Sequence, residues 1–203
     1  MEEKLLERTR AYYDAHAESL EKRKLSCELD AEETQSIVRS VPANSSSLLD
    51  VGCGTGHLLE KGPARFKVGI DSSVAMLRIA HRLTTAHLVL GDARRLLLRG
   101  CSFDAVTCQD VVGHFRDPAP VVVELLRACN PVGLVVITAP KSSLFSYMVS
   151  AYSRVRLRVY LRSYSREELE KIFEVSGGSV ISAEVIGRSI LKLLAAPRTP
   201  SRR

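Results

Sequence analysis

Apolar positions along this chain fall into short runs separated by stretches of helical spacing. Residues 48–51, 66–70, 86–90, 103–109 and 134–138 read as strands. Between them, residues 56–61, 74–83 and 118–127 read as helices, with Met76, Leu77, Ala80 and Leu83 sharing one face of the second. Ser165 followed by Glu168 is a capping box that opens a further helix, which Gly177-Gly178 should end. The apolar runs 180–186 and 189–195, joined at Gly187-Arg188, predict a hairpin. Before the first strand, residues 1–41 predict two helices. Leu5, Tyr12, Tyr13, His16 and Leu20 lie near one stripe of the first, and Asp30 with Glu33 forms a capping box for the second, which ends before Pro42. Strands alternating with helices specify an α/β fold: a doubly wound, mostly parallel seven-stranded sheet with helices on both faces and a C-terminal antiparallel hairpin.

Composition narrows the picture. The 203 residues, 45% hydrophobic and without an apolar run near 18 positions, predict one soluble domain. Its expected parts are a helical lid over residues 1–44, a core over 45–195 and a frayed tail over 197–203. The charged start, Met1-Glu2-Glu3-Lys4, lacks the apolar segment of a secretory signal. Five cysteines without a C-x-x-C pair argue against a disulfide framework and a zinc site, and the expected setting is the reducing cytoplasm with no bound metal.

The candidate chemistry gathers at Leu48-Leu49-Asp50-Val51-Gly52-Cys53-Gly54-Thr55-Gly56. Three glycines in five residues weaken a chain unless the backbone needs positive φ or must touch a ligand. A dinucleotide fingerprint would need a small residue at position 57, where His57 stands. Asp71, 21 residues beyond Asp50 and at the end of the second strand, is placed to accept hydrogen bonds from a ribose diol. The alternative for that carboxylate is a helix cap, a job for which Ser72 and Ser73 compete.

The Asp50-x-Gly52-x-Gly54-x-Gly56 pattern resembles the first motif of the class I S-adenosylmethionine-dependent methyltransferases, and Phe103-Asp104-Ala105-Val106 resembles the fourth strand of the branch that includes quinone-biosynthesis methyltransferases. The resemblance covers roughly residues 45–195 and implies S-adenosylmethionine as cofactor. It also implies that Gly52, Gly54 and Gly56 lie against its methionine part and that Asp50 holds its amino end. Asp92 and Ala93 would read the adenine, and Gln109, Asp110 and, after a gap, His114 would line the site beside the sulfonium at the carboxyl end of the fourth strand. In such enzymes a Tyr-rich first helix often closes the cleft, which points to Tyr12, Tyr13 and Asp14. Val132 departs from the usual Pro-Gly-Gly turn before the fifth strand.

His114, after the fourth strand, is the candidate general base, because an imidazole titrates near neutrality. Charge bears on the acceptor. Residues 1–150 hold 18 basic and 18 acidic side chains, whereas residues 151–203 hold 11 basic against 5 acidic. Arg154, Arg156, Arg158 and Arg162 alternate with apolar residues at strand period, either as a guarded sheet edge or as a surface for something anionic. The expected acceptor is a small, lipophilic or quinone-like molecule. RNA or an anionic membrane surface, reached through those arginines, and a non-catalytic cofactor-binding subunit are the alternatives.

Overall fold

A computed structural model of the protein describes residues 2–198, so the tail expectation for 199–203 lies outside the described residues. Five parallel strands, β1 (Ser47–Val51), β2 (Phe66–Asp71), β3 (His87–Leu90), β4 (Phe103–Cys108) and β5 (Cys129–Pro140), are joined by the antiparallel pair β6 (Gly178–Ile186) and β7 (Ile190–Pro197). Their order across the sheet is β3-β2-β1-β4-β5-β7-β6. Among the described residues seven α-helices accompany them: α1 (Glu2–Ser26), α2 (Glu28–Ser40), α3 (His57–Lys61), α4 (Val74–Leu83), α5 (Ala119–Ala128), α6 (Leu144–Tyr152) and α7 (Arg166–Val175). This is the doubly wound sheet with a terminal hairpin that the patterning predicts.

The two faces of the sheet explain the apolar runs. Because side chains alternate across a strand, Leu49, Val51, Val106, Val135 and Ile137 pack on one face with Val121 and Leu125 of α5 and with Leu169 and Phe173 of α7. Leu48, Ala105 and Val136 pack on the other with Ile37 of α2 and Leu58 of α3. The order reverses between β1 and β4, so a crevice opens at their carboxyl ends, where such sheets bind ligands.

Several expectations are corrected. Asp30 and Glu33 do not cap α2, which starts at Glu28 after the single residue Cys27; Glu33 lies instead on the buried face of that helix. On α1 the residues turned inward are Thr9 and Ala17, flanked by Leu6, Tyr13 and Leu20. His16 is exposed, since the small side chains are the ones that allow α1 to approach the core and α4. Asn130 to Gly133 belong to β5 rather than to a turn before it. Asn130 Nδ2 donates to Asp104 Oδ1 at 2.8 Å, and a register shift between Phe103 and Ala105 absorbs the extra residues. The arginine segment is not a strand: β7 already occupies the edge of β5, and residues Ser153–Leu157 form a π-helical turn that continues α6. Arg158 follows with φ of 57°.

Candidate functional site

The crevice is a cleft of about 500 Å³. Asp50, Gly52, Gly54, Asp71, Asp92, Ala93, Gln109 and His114 all line it, and α1 covers it with Leu6, Thr9 and Tyr13. Gly56 does not line it. It is the N-cap of α3 at φ 87°, and a β-carbon there would lie 3.1 Å from that of Ala80 on α4.

The glycine loop serves two ends. At Gly52, φ 74°, a β-carbon would lie 2.1 Å from Val111 Cγ2, so protein packing alone forbids a side chain. At Gly54, φ 52°, nothing stands within 4 Å of the same atom, and the backbone is bare toward the cleft. The loop is fastened to β2: Gly52 N and Cys53 N both donate to Ile70 O, at 2.7 and 3.0 Å.

Asp71 is built into the same fastening. Its Oδ2 accepts from Gly54 N and its Oδ1 from Ser73 N, both at 2.8 Å, while Ser73 Oγ is the cap that accepts from Met76 N of α4. Burial raises the pKa of Asp71 and those backbone donors oppose the rise. Each oxygen keeps a further acceptor position, because a carboxylate offers about four. Asp50 is deeper, its pKa pushed up by burial to about 6 against the 2.8 Å donation from Thr107 Oγ1. Asp92 differs from both. Burial acts against its ionisation, but Arg94 outweighs it through bonds to both carboxylate oxygens, as short as 2.6 Å, and its pKa is lowered. Arg94 also reaches Glu3 of α1 at 2.9 Å.

His114 sits between the lid and the arginine segment. Its Nδ1 lies 2.8 Å from Tyr160 O, a pure acceptor, so Nδ1 carries the proton and Nε2 accepts from the Tyr13 hydroxyl at 2.9 Å. Burial lowers the pKa of this imidazole. Burial, with Asp110 and Asp71 nearby, raises that of Tyr13. The Tyr160 ring in turn lies under the guanidinium groups of Arg154 and Arg116, at 4.7 and 5.9 Å. Gln109 Oε1 accepts from Thr34 Oγ1 of α2 at 3.3 Å.

The lid is held by polar contacts along its whole length. Asp14 Oδ1 accepts from Ser73 Oγ at 2.6 Å and from Ala75 N at 3.1 Å, Glu18 meets Arg82 at 3.0 Å, and Glu21 meets His57 at 2.9 Å. Tyr13 covers the cleft and Asp14 fastens the lid, where a cleft-closing first helix was expected to place them, while Tyr12 does not line the cleft. Arg94 and Thr107 carried no signal in the sequence.

Comparison with known proteins gives the family context. Residues 49–137, from β1 through most of β5, match the methyltransferase domain family. The ubiquinone biosynthesis O-methyltransferase of Alkalilimnicola ehrlichii is 35% identical over 125 residues, 52% of this chain and 47% of that protein. The demethylmenaquinone methyltransferase of Thermotoga maritima is 36% identical over 99 residues, 46% and 43% of the two chains. This chain thus spans about half the length of the curated relatives it matches. Among solved structures, a chain of a Haloferax volcanii complex that contains the Trm112 methyltransferase activator superposes with TM-score 0.81 at 17% identity, covering 94% of this chain and 98% of that one. The DhpI–SAH complex superposes with TM-score 0.74 at 18% identity, over 95% and 97%. Residues 49–137 thus match the methyltransferase domain family, and most of the chain shares the Rossmann-like fold of the solved structures on which it superposes.

Proposed function

We propose that this protein is an S-adenosylmethionine-dependent methyltransferase acting on a small lipophilic acceptor of the quinol or catechol kind. The observation that carries the reading is the bare face of Gly54 in the cleft wall, locked to Asp71 at the switch point of the sheet. The residues fit the cofactor: the cleft volume lies within the ~300–1,000 Å³ of ordinary ligand pockets, and Asp71 has acceptor positions left for a diol. When bound, the cofactor supplies a methyl group already activated on a sulfonium, so the protein mainly binds, orients and excludes water.

In this reading Gly52 shapes the loop and Gly54 meets the methionine portion. Asp50 accepts from the amino end, Asp71 takes the ribose hydroxyls, and the corner at Asp92 and Ala93 faces the adenine, with Gln109 beside the reacting centre. Engaging Asp92 requires Arg94 to give up part of its hold on that carboxylate, which couples adenine binding to the Glu3 latch on α1. Residues 2–40 act as the lid, released and closed through the polar contacts along α1.

The surface of α6 supports a lipophilic acceptor drawn from an anionic membrane surface. Leu144 and Phe145 are 79% and 70% exposed, Tyr147, Met148, Tyr152 and Val155 are exposed as well, and no acid interrupts residues 141–165. Arg154, Arg156 and Arg158 are exposed beside them. Apolar side chains flanked by arginines suit the boundary between headgroups and acyl chains better than the stacked bases of an RNA. The test is transfer of label from methyl-labelled cofactor to cell extract divided into lipid, RNA and protein. Label in the lipid fraction is expected. Label in RNA alone, or cofactor binding with no transfer to any fraction, would overturn the proposed acceptor.

A further inference from the structure

Glu33 and Asp110 meet at the inner end of the cleft, where α2 crosses the carboxyl end of β4. The Glu33 side chain is 1% exposed, and its carboxyl group lies beside Asp110, Thr138 and Gln109. Asp110 lines the cleft and holds a left-handed backbone, φ 55°, that non-glycine residues rarely adopt. That conformation is fixed by donation from Asp110 N to Thr138 O and Oγ1, at 3.3 and 3.2 Å. Each carboxyl group also leaves one buried oxygen without a donor, Oε1 of Glu33 and Oδ1 of Asp110. Two ionised carboxylates cannot supply one another with a donor; a single proton held between them can.

We propose that Glu33 and Asp110 share one proton, with Asp110 as the base that receives the proton of the acceptor hydroxyl and Glu33 as the positioning residue that holds Asp110 in place. The proposal rests on the methyltransferase reading for its reaction and on the carboxyl geometry for its residues. Burial raises the pKa of both groups. The charge of Asp110 raises that of Glu33 further, and Glu33 is closed off from the cleft that Asp110 lines, so the shared proton is assigned to Glu33 and the charge to Asp110. Tyr13, Arg23 and Lys24 of α1 and Asp30 of α2 face the same carboxylate, and the two cations favour its ionised form.

The step balances. As the acceptor oxygen forms its bond to the methyl carbon, the S–CH3 bond breaks and its electron pair stays on sulfur, which becomes a neutral thioether. The hydroxyl proton passes to Asp110, so the sulfonium and the carboxylate lose their charges together. His114 is poorly placed for this part, because its only basic nitrogen already accepts from Tyr13.

The pair is tested by carbon-13 NMR titration of protein labelled at the side-chain carboxyl carbons of Asp and Glu, with S-adenosylhomocysteine present. One Glu carboxyl should stay protonated beyond the ordinary carboxylate range, be absent from Glu33→Gln, and titrate at lower pH in Asp110→Asn. Adding 4-methylcatechol as probe should shift it in the native protein. A Glu33 that titrates in the ordinary range, that ignores Asp110→Asn, or that ignores the probe overturns the proposal. Failure of the native protein to bind S-adenosylhomocysteine is a separate result, against the methyltransferase reading. Where the native protein methylates the catechol, Asp110→Asn should slow transfer by about 10²–10⁴-fold with cofactor affinity retained; an undiminished rate overturns the role of Asp110 as base.

Discussion

The Tyr13 hydroxyl donates to His114 Nε2 at 2.9 Å, and this one bond ties the lid helix to the wall of the cleft. Because His114 Nδ1 donates to Tyr160 O, the imidazole connects α1 to the arginine segment that follows α6. Tyr13→Phe should therefore cost about 1–3 kcal/mol of stability, since it leaves a buried acceptor on His114 unpaired. It should also speed release of S-adenosylhomocysteine. Urea unfolding and stopped-flow release measure the two effects; a variant with native stability and native release would show that the bond latches nothing.

Asp50 predicts a stability that depends on pH. Its folded pKa, about 6, stands above the ordinary aspartate value of 3.8, so the folded protein binds more protons than the unfolded chain between those values, and the Asp50 contribution to stability falls as pH rises through that window. His114 works the other way. Its lowered pKa means that the unfolded state takes up the extra proton, so its contribution falls as pH drops below about 6.5. Asp50→Asn should stabilise the protein at pH 7 by on the order of 2 kcal/mol, remove the Asp50 component between pH 4 and 6, and weaken cofactor binding. Thermal unfolding from pH 4 to 8 checks the sign; a destabilised Asp50→Asn at pH 7 would contradict it.

Much of this architecture was legible in the chain. The runs that became β1, β2, β4 and α4 have buried apolar sides that only one register satisfies, so periodicity located them closely. Segment 141–164 was not legible, for two reasons. In α6 the serines at helical spacing, Ser146 and Ser150, are buried while the apolar side chains are exposed, the inverse of the usual pattern, and the arginine alternation had no free sheet edge to join. The site divided in the same way. Backbone roles announced themselves through glycine spacing, whereas the Glu33–Asp110 pair joins residues 77 positions apart and exists only once α2 has packed on the sheet.

Asp71 gives a sharper expectation than its residue type alone. Both oxygens accept from backbone N–H groups, so an asparagine must turn its amide nitrogen toward Gly54 N or Ser73 N. Asp71→Asn should therefore lose about as much S-adenosylhomocysteine affinity as Asp71→Ala, about 1.5–3 kcal/mol. Near-native affinity in the asparagine variant would separate Asp71 from the nucleoside.

The surface of α6 makes a prediction about membranes. Replacing Arg154, Arg156 and Arg158 together by glutamine should weaken binding to phosphatidylglycerol vesicles by up to about 1 kcal/mol per arginine, while cofactor affinity stays unchanged. Phe145→Ser with Met148→Ser should weaken it further through lost insertion of apolar side chains. Vesicle sedimentation at two salt concentrations reads both effects. If neither variant differs from the native protein, the exposed side chains of α6 have some other use.

The central claim is that the cleft at Gly54 holds S-adenosylmethionine, and calorimetric titration of S-adenosylhomocysteine into the native protein and into Gly54→Val tests it most directly. A β-carbon at Gly54 meets no protein atom within 4 Å, so the change costs backbone strain at φ 52° but no steric clash within the protein, while the side chain fills the space that the ligand needs. The expected result is saturable binding by the native protein and none by a Gly54→Val variant whose circular dichroism is native. A native protein that does not bind, or a folded Gly54→Val variant that binds with unchanged affinity, would contradict the claim.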